Sequence, residues 1–335
     1  MLKSINIAAC LLLLFVGTAA AQDAVLYAGL IKSKGYVVGS PLSASGLHRY
    51  DGDTTWTHIG WNHPRISAVA ADPTDSDVLY LAAGNGVLRS RDGGESWVIT
   101  TDWRVTELQG IAVDPNAPDH VYMSSAYGVW RTEDGGETWT ESNEGFAEKY
   151  TQKVLVDRTQ TGRLLAATDG GVYVSENGAK SWSLAGAEGS HINDIQQGES
   201  DPNNWLAATR DEGVLLSSDN GKTWRFAKGN IGKTTMHAVA IDPFDAQNMA
   251  AVGWKTGVYV STNGGKSWKQ HQKGLPIPDF YEVVFDANVP GRLWAATLEE
   301  GIFHSDDMGH SWDYAGLYGT VVFDMVFIDQ TGGTP

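Results

Sequence analysis

The sequence predicts an all-β fold made of seven repeated units, each with four short strands. One observation is a pattern, Gly-(Val/Ile)-x-x-(Ser/Thr)-x-(Asp/Asn)-x-Gly-x-(Ser/Thr)-Trp, that occurs six times along the chain with one substitution. A second is the regular spacing of these copies, and a third is the alternation of short apolar runs with turn residues. The copies are Gly86–Trp97, Gly128–Trp139, Gly171–Trp182, Gly213–Trp224, Gly257–Trp268 and Gly301–Trp312. The third copy carries Ala179 in place of the turn glycine.

The spacing of the pattern defines the repeat. A shorter seventh copy, Gly46–Trp56, keeps Asp51 and Trp56 but has Asp53 at the glycine position. Successive tryptophans of the seven copies lie 41 to 44 residues apart. A fixed period of this length is typical of a repeat architecture. No linker interrupts it, so one closed domain is expected.

Each unit is expected to form four strands. In the second unit these are Ile66–Ala71, Val78–Ala83, Val87–Ser90 and Trp97–Thr101. Short strands rich in Val, Ile and aromatic residues, separated by turns, indicate an all-β fold, and four-stranded units at this period are typical of propeller blades.

The two ends of the chain predict how the ring closes. Ala24–Gly29 matches the second strand of a unit, and Val321–Asp329 matches the first. The C-terminal strand would therefore complete the N-terminal blade and remove exposed sheet edges. The sequence thus predicts a seven-bladed β-propeller of four-stranded antiparallel blades over residues 22–329, followed by a tail at 330–335.

The repeated pattern has a structural explanation. Its Asp or Asn can accept turn N–H groups, its glycine tolerates a positive φ, and its tryptophan buries a large apolar surface. Ala179 is expected to strain the third turn by about 1 kcal/mol. The positions assigned to this structural role are Asp51, Asp92, Asp134, Asn177, Asp219, Asn263 and Asp307.

With these repeats the mature chain resembles an Asp-box (BNR repeat) β-propeller. Families with such repeats include sialidases, xyloglucanase-type glycoside hydrolases, the sortilin ectodomain and the photosystem II assembly factors. The resemblance implies that the boxes are structural and lie on the face opposite the ligand site. Arg65-Ile66-Ser67 departs from the Arg-Ile-Pro motif of sialidases. Xyloglucanases use two propellers to form a cleft, whereas this sequence predicts one.

Residues 1–21 are expected to be a signal peptide. Lys3 precedes an apolar stretch, Ile5–Val16, and small residues at 19–21 fit cleavage near Ala21. The stretch is too short for a membrane span. The protein is therefore expected to be exported, either to the periplasm or to the medium, without a membrane span.

Composition excludes several classes of function. Cys10 is the only cysteine, so the mature protein would have no thiol nucleophile or cysteine metal cage. The net charge of −16 argues against a nucleic-acid partner. No motif indicates a cofactor or a metal site, and the protein is expected to be a monomer.

The rim opposite the boxes is the expected binding region. Five residues before the end of each first strand lies a polar or amphipathic residue, which predicts a ring near the channel mouth: Ser67, Gln109, Gln152, Asn193, His237, Tyr281 and Asp324. These groups could bind water and one another, or form the floor of a ligand pocket. The long loop Leu30–Ser45 belongs to the first unit alone and could be functional or simply mobile. The ligand-binding candidates are Trp61, His63, Arg65, Trp103, Arg104, Tyr127, Tyr150, His237, Trp254 and Tyr281, joined on the same rim by Arg210, Lys255 and Tyr318.

Two functions follow from these candidates. The first is an exported, non-catalytic binding or assembly module that holds a protein or glycan on this rim. The alternative is a sialidase- or xyloglucanase-like glycoside hydrolase, which would need two suitably spaced carboxylates. The candidate acids for the alternative are Asp211, Glu212, Glu299, Glu300 and Asp324.

Overall fold

The computed structural model describes residues 24–35, 37, 44–229 and 231–330. The expected signal peptide and residues 331–335 of the expected tail lie outside this part of the chain. Within it the fold is the expected one, seven four-stranded antiparallel sheets arranged as a β-propeller, without a helix.

Three blades are built from the N-terminal half and the last strand. Blade 1 contains β1 (Ala24–Lys32), β2 (Gly46–Gly52), β3 (Thr55–Ile59) and the C-terminal strand β28 (Thr320–Asp329). Blade 2 contains β4 (Ile66–Asp72), β5 (Asp75–Ala83), β6 (Gly86–Arg91) and β7 (Val98–Ile99). Blade 3 contains β8 (Leu108–Asp114), β9 (Ala117–Ser125), β10 (Gly128–Thr132) and β11 (Thr140–Glu141).

The other four blades follow in chain order. Blade 4 contains β12 (Thr151–Val156), β13 (Leu164–Thr168), β14 (Gly171–Ser175) and β15 (Ser183–Gly186). Blade 5 contains β16 (Ile192–Gln197), β17 (Trp205–Thr209), β18 (Val214–Ser217) and β19 (Arg225–Phe226). Blade 6 contains β20 (Met236–Ile241), β21 (Met249–Gly253), β22 (Val258–Ser261) and β23 (Lys269–His271). Blade 7 contains β24 (Phe280–Phe285), β25 (Leu293–Thr297), β26 (Ile302–Ser305) and β27 (Asp313–Gly316).

Blade 1 closes the ring as expected. Its strand order is β28-β1-β2-β3, and β1 pairs antiparallel with β28 from Ala24↔Asp329 to Lys32↔Thr320. Strand β1 therefore continues three residues beyond the expected end at Gly29, and the loop expected over Leu30–Ser45 begins only at Ser33. Residues 36 and 38–43 of that loop lie outside the described residues.

The core lies between the blades. Each sheet packs a face against the next sheet, because apolar side chains on alternate strand positions point to opposite faces. Phe280 and Phe303 of blade 7, for example, share a buried cluster with Ala238 and Val258 of blade 6. The first strand of every blade contacts the first strand of the next, and β28 contacts β4. These seven inner strands form the wall of a central channel.

The repeated pattern forms the turn between the third and fourth strands of each blade. In blade 2, Asp92 accepts hydrogen bonds from the Ser90 hydroxyl at 2.7 Å and from the Ser96 amide at 2.9 Å. The Ser96 hydroxyl also donates to Asp92. These donors favour the ionised carboxylate and lower its pKa to about 2, as they do for Asp134, Asp219 and Asp307.

Two turns depart from the pattern. Ala179 is fully buried with a φ of 61°, so the alanine adopts the left-handed backbone that glycine has elsewhere. In blade 1, Asp53 adopts a φ of 52°, and Asp51 accepts from Thr57 and Arg49 instead of Thr55. The reason is that this hairpin is tighter, with Thr55 already paired to Gly52.

Candidate functional site

A central channel runs between the seven blades. Its volume is about 890 Å³, and its walls are the inner strands β4, β8, β12, β16, β20, β24 and β28. Antiparallel strands place the repeated turns at one rim. The connections from the second to the third strand, and from each fourth strand to the next blade, lie at the other. We refer to that second rim as the open rim.

Near the open rim, each inner strand carries a one-residue bulge. The pairing registers skip Ser67, Gln109, Gln152, Asn193, His237, Tyr281 and Phe323. All seven line the channel. Six of them are the residues expected in the polar ring, but the expected seventh, Asp324, is wrong by one residue. Its place in the ring is taken by Phe323, because the matching bulge in β28 falls one residue earlier than the sequence alignment assumed.

The residues directly after the bulges form a second layer that the sequence analysis missed. Four of the seven are ionisable: Lys153, Asp194, Glu282 and Asp324. All four line the channel. The missed signal was a column of charged residues one position closer to the strand end than the expected ring. We refer to these four residues as the channel charge cluster.

Backbone groups and one ion pair hold the cluster in place. Lys153 Nζ lies 2.8 Å from Asp194 Oδ1, and Asp194 Oδ2 accepts the Val239 amide at 3.0 Å. Asp324 Oδ2 accepts the Val69 amide at 2.7 Å. Glu282 Oε1 accepts the amide of Val283 at 3.0 Å. These contacts join the inner strands of blades 4, 5 and 6 through Asp194 and those of blades 1 and 2 through Asp324, whereas Glu282 bonds only within its own strand.

Three carboxylates and one ammonium make this an electrostatically unusual site. Burial, followed by repulsion from Asp194, raises the pKa of Glu282 well above its ordinary value. Burial raises the pKa of Asp324 to about 6, although the Lys153 charge and the Val69 amide act against this. Burial lowers the pKa of Lys153, but attraction to the three carboxylates outweighs it and the net shift is upward.

The seven bulge residues, which lie closer to the open rim than the channel charge cluster, include aromatic side chains with flat faces. His237 and Tyr281 have ring centroids 5.0 Å apart, and His237 Nδ1 donates to the carbonyl of Phe280 at 2.8 Å. Burial lowers the pKa of His237. The Arg65 guanidinium lies 5.0 Å from the ring centroid of Phe323. Tyr150 and Arg210 also line the channel.

The other ligand-binding candidates lie around the open rim, away from the channel wall. Trp61, Trp103, Tyr127 and Trp254 are exposed, with Trp103 the most exposed at 85%. Tyr318 is exposed as well, and Arg104 is held by Asp102. His63 is buried, and its Nδ1 donates to the carbonyl of Arg65 at 2.8 Å. The structure thus separates the candidates into a channel group and a rim group.

The candidate acids do not converge. Asp211 and Glu212 lie between β17 and β18 of blade 5, whereas Glu299 and Glu300 lie between β25 and β26 of blade 7. None of these four lines the channel. Glu212 accepts the Ser190 hydroxyl at 2.5 Å, Asp211 accepts that of Thr235 at 3.3 Å, and Glu300 pairs with Lys34 at 2.6 Å. Only Asp324 belongs to the channel.

The described residues show neither a metal centre nor a membrane-spanning helix. No group of three or more His, Cys, Asp or Glu side chains is arranged to hold a metal ion. No helix there has the length and apolar character needed to cross a bilayer.

Comparisons with known proteins agree on the fold. A family model described as Sortilin, neurotensin receptor 3, matches residues 212–318. The xyloglucanase of Hypocrea jecorina (strain QM6a) is 34% identical over 87 residues, which is 21% of this chain and 10% of that enzyme.

Solved structures cover more of the chain. The GH74 enzyme of Niastella koreensis superimposes with a TM-score of 0.73 at 20% identity, covering 88% of this chain and 52% of the enzyme. The chain therefore spans about half the length of that enzyme. YCF48 bound to a D1 peptide superimposes with a TM-score of 0.58 at 14% identity, covering 74% of this chain and 81% of YCF48. The chain is a seven-bladed β-propeller, and these matches fit the superfamily of sialidase-, xyloglucanase- and sortilin-like propellers.

Proposed function

We propose that the protein is an exported, non-catalytic binding or assembly module that holds a protein or glycan on the open rim. The observation that carries this proposal is the set of exposed aromatic side chains there. Trp61, Trp103 and Tyr127 come from connections that lead into or lie within blades 2 and 3, which are neighbours. Trp254 and Tyr318 extend the set towards blades 6 and 1.

Exposed aromatic residues of this kind favour a binding role. Large side chains with few rotatable bonds dominate the binding energy of many interfaces, and their flat faces also suit sugar rings. The relatives support either a protein or a glycan as the partner, since the YCF48 structure contains a peptide and the Hypocrea jecorina relative is a xyloglucanase. Export is supported by the expected signal peptide at residues 1–21.

The positions of the four candidate acids outside the channel favour binding over hydrolysis. A glycosidase of the usual type needs two carboxylates about 5–10 Å apart around one bond. Asp211 and Glu212 are separated from Glu299 and Glu300 by blade 6, and three of the four already accept a hydroxyl or an ammonium. Hydrolysis remains the alternative, because the GH74 enzymes have the same fold.

The test compares binding and turnover for the same protein. A protein of residues 22–335 would be purified and applied to glycan arrays. The same protein would be used to capture partners from the secreted proteins of the organism that makes it. Binding of the captured partner should weaken at least tenfold in Trp103→Ala. It should be unchanged in Phe226→Ala, which removes an exposed aromatic side chain from the outer strand β19. Equal affinity of both variants would count against the open rim.

Turnover decides the alternative. Sialosides and β-glucans would be incubated with the wild-type protein, Asp211→Asn and Glu299→Gln. No product is expected from any of the three. Hydrolysis by the wild type that either substitution abolishes would overturn the non-catalytic proposal.

A further inference from the structure

The channel charge cluster has fewer cations than carboxylates. Lys153 is the ammonium that faces Asp194, Glu282 and Asp324 together, and only Asp194 forms an ion pair with it. Among the described residues, neither Glu282 nor Asp324 forms an ion pair within 4 Å. One ammonium among three carboxyl groups leaves the centre of the channel short of positive charge, and burial without a counter-charge favours the protonated form of Glu282.

A hydroxyl beside the cluster also lacks a partner. Ser67 is 6% exposed and lines the channel, and its Oγ makes no hydrogen bond within the described protein. It belongs to β4, the strand whose Val69 amide donates to Asp324. Buried polar groups are normally hydrogen-bonded. The hydroxyl therefore offers an acceptor to a molecule in the channel, next to the unpaired carboxylate.

Apolar ring faces lie one layer above the cluster. His237 and Tyr281 present neighbouring rings, and Tyr150 and Phe323 also line the channel. His237 favours its neutral form because burial lowers its pKa, so its ring does not repel a cation at neutral pH. A channel of about 890 Å³ is in the size range of small-molecule sites.

We propose that the channel binds a small molecule that carries a protonated primary amine on a ring-bearing body. The ammonium lies among Glu282, Asp324 and the Ser67 hydroxyl, where three N–H donors meet oxygen acceptors. The ring of the bound molecule lies against the side chains of His237 and Tyr281. This site is separate from the exposed aromatic residues of the open rim and does not depend on them.

The charge balance specifies an ammonium. One added positive charge gives Glu282 and Asp324 the counter-charge that Lys153 gives to Asp194, and an N–H fork suits acceptors that are spread over neighbouring strands. The groups that face Asp324 and Glu282 across the channel are Lys153, Asp194, neutral His237 and, at the mouth, Arg65. Burial raises the pKa of both Glu282 and Asp324 and a bound ammonium favours their ionised forms, so amine binding should weaken as the pH falls through these raised pKa values.

Matched probes separate charge from shape. Phenethylamine and 2-phenylethanol differ by an ammonium in place of a hydroxyl, as do glucosamine and glucose. Titration calorimetry of residues 22–335 at pH 7.5 should give at least tenfold tighter binding for the amine of a pair than for its neutral partner. The two pairs distinguish an aromatic amine from an amino sugar as the source of the ammonium. Equal binding within both pairs, or no binding of either amine, would overturn the proposal.

Variants locate the site. Glu282→Gln and Asp324→Asn keep the size of the side chains and should each reduce amine affinity at least tenfold, without changing the neutral partner's binding. Glu188→Gln removes an exposed carboxylate outside the channel, and Trp103→Ala alters the open rim. Both should bind the amine like the wild type. Unchanged affinity in a folded Glu282→Gln or Asp324→Asn would place the amine elsewhere and refute the channel site.

Discussion

Lys153 and Asp194 form an ion pair of 2.8 Å between the inner strands of adjacent blades. The two side chains are 25% and 7% exposed, and this exposure is to the channel. The pair is thus shielded from bulk solvent but beside two further carboxylates.

Removing the lysine charge should destabilise the protein. Lys153→Met leaves three carboxylates without a counter-charge, and breaking a buried pair in this way costs about 3 kcal/mol or more. Chemical denaturation at pH 7.5 measures the loss. The double variant Lys153→Met, Asp194→Asn should recover part of it, because one carboxylate is then neutral. A single variant as stable as the wild type would show that the pair contributes little.

Asp324 should make stability depend on pH. Its pKa in the folded protein is raised to about 6 from the ordinary aspartate value of 3.8, so between these values the folded state holds more protons than the unfolded state. Stability from this group therefore falls as the pH rises through 6. Asp324→Asn should be stabilised relative to the wild type at pH 8 by on the order of 2 kcal/mol more than at pH 4.5.

The comparison must be made between variants, because histidines act in the opposite direction. Burial lowers the pKa of His48 to about 4, so its contribution to stability is lost as the pH falls below its unfolded value near 6.5. That change is common to the wild type and Asp324→Asn and cancels in the difference. A pH-independent difference in unfolding free energy would contradict the raised pKa.

Two glycines of the repeated turn should respond differently to the same substitution. Gly94 and Gly136 have φ values of 94° and 90°. A Cβ at Gly94 would lie 2.3 Å from Ile59 Cγ2, whereas at Gly136 the nearest atom is 3.6 Å away.

Gly136→Ala should therefore cost only backbone strain, about 1–2 kcal/mol, and Gly94→Ala should cost about 1–3 kcal/mol more through overpacking. Thermal unfolding of the two variants tests the difference. Equal losses would mean that Ile59 moves away without cost.

Closure of the ring should depend on β28. Deleting residues 318–335 removes the inner strand of blade 1 and exposes the long edge of β1, which invites aggregation. We expect loss of cooperative unfolding and association in size-exclusion chromatography. Deleting residues 331–335, which follow β28, should change neither. A monomeric, cooperatively folded 318–335 deletion would show that closure is dispensable.

Much of the fold could be predicted because its information is local and repeated. The box turns, the strand order of each blade and the pairing of β1 with β28 follow from a pattern that recurs about every 43 residues. Six of the seven polar residues near the channel mouth were predicted from the same repeat, by aligning the first strands of the units. The error at Asp324 shows the limit, since a bulge shifts the register by one residue and the sequence does not record where the bulge falls.

The sequence by itself determined the propeller, its seven blades and the rim that the repeated turns occupy. Only the tertiary structure decided which side chains meet. Lys153, Asp194, Glu282 and Asp324 come from four blades and are far apart along the chain, yet closing the ring directs them into one channel. The physical reason is that turns depend on neighbouring residues, whereas the electrostatics of the channel depend on how seven inner strands converge.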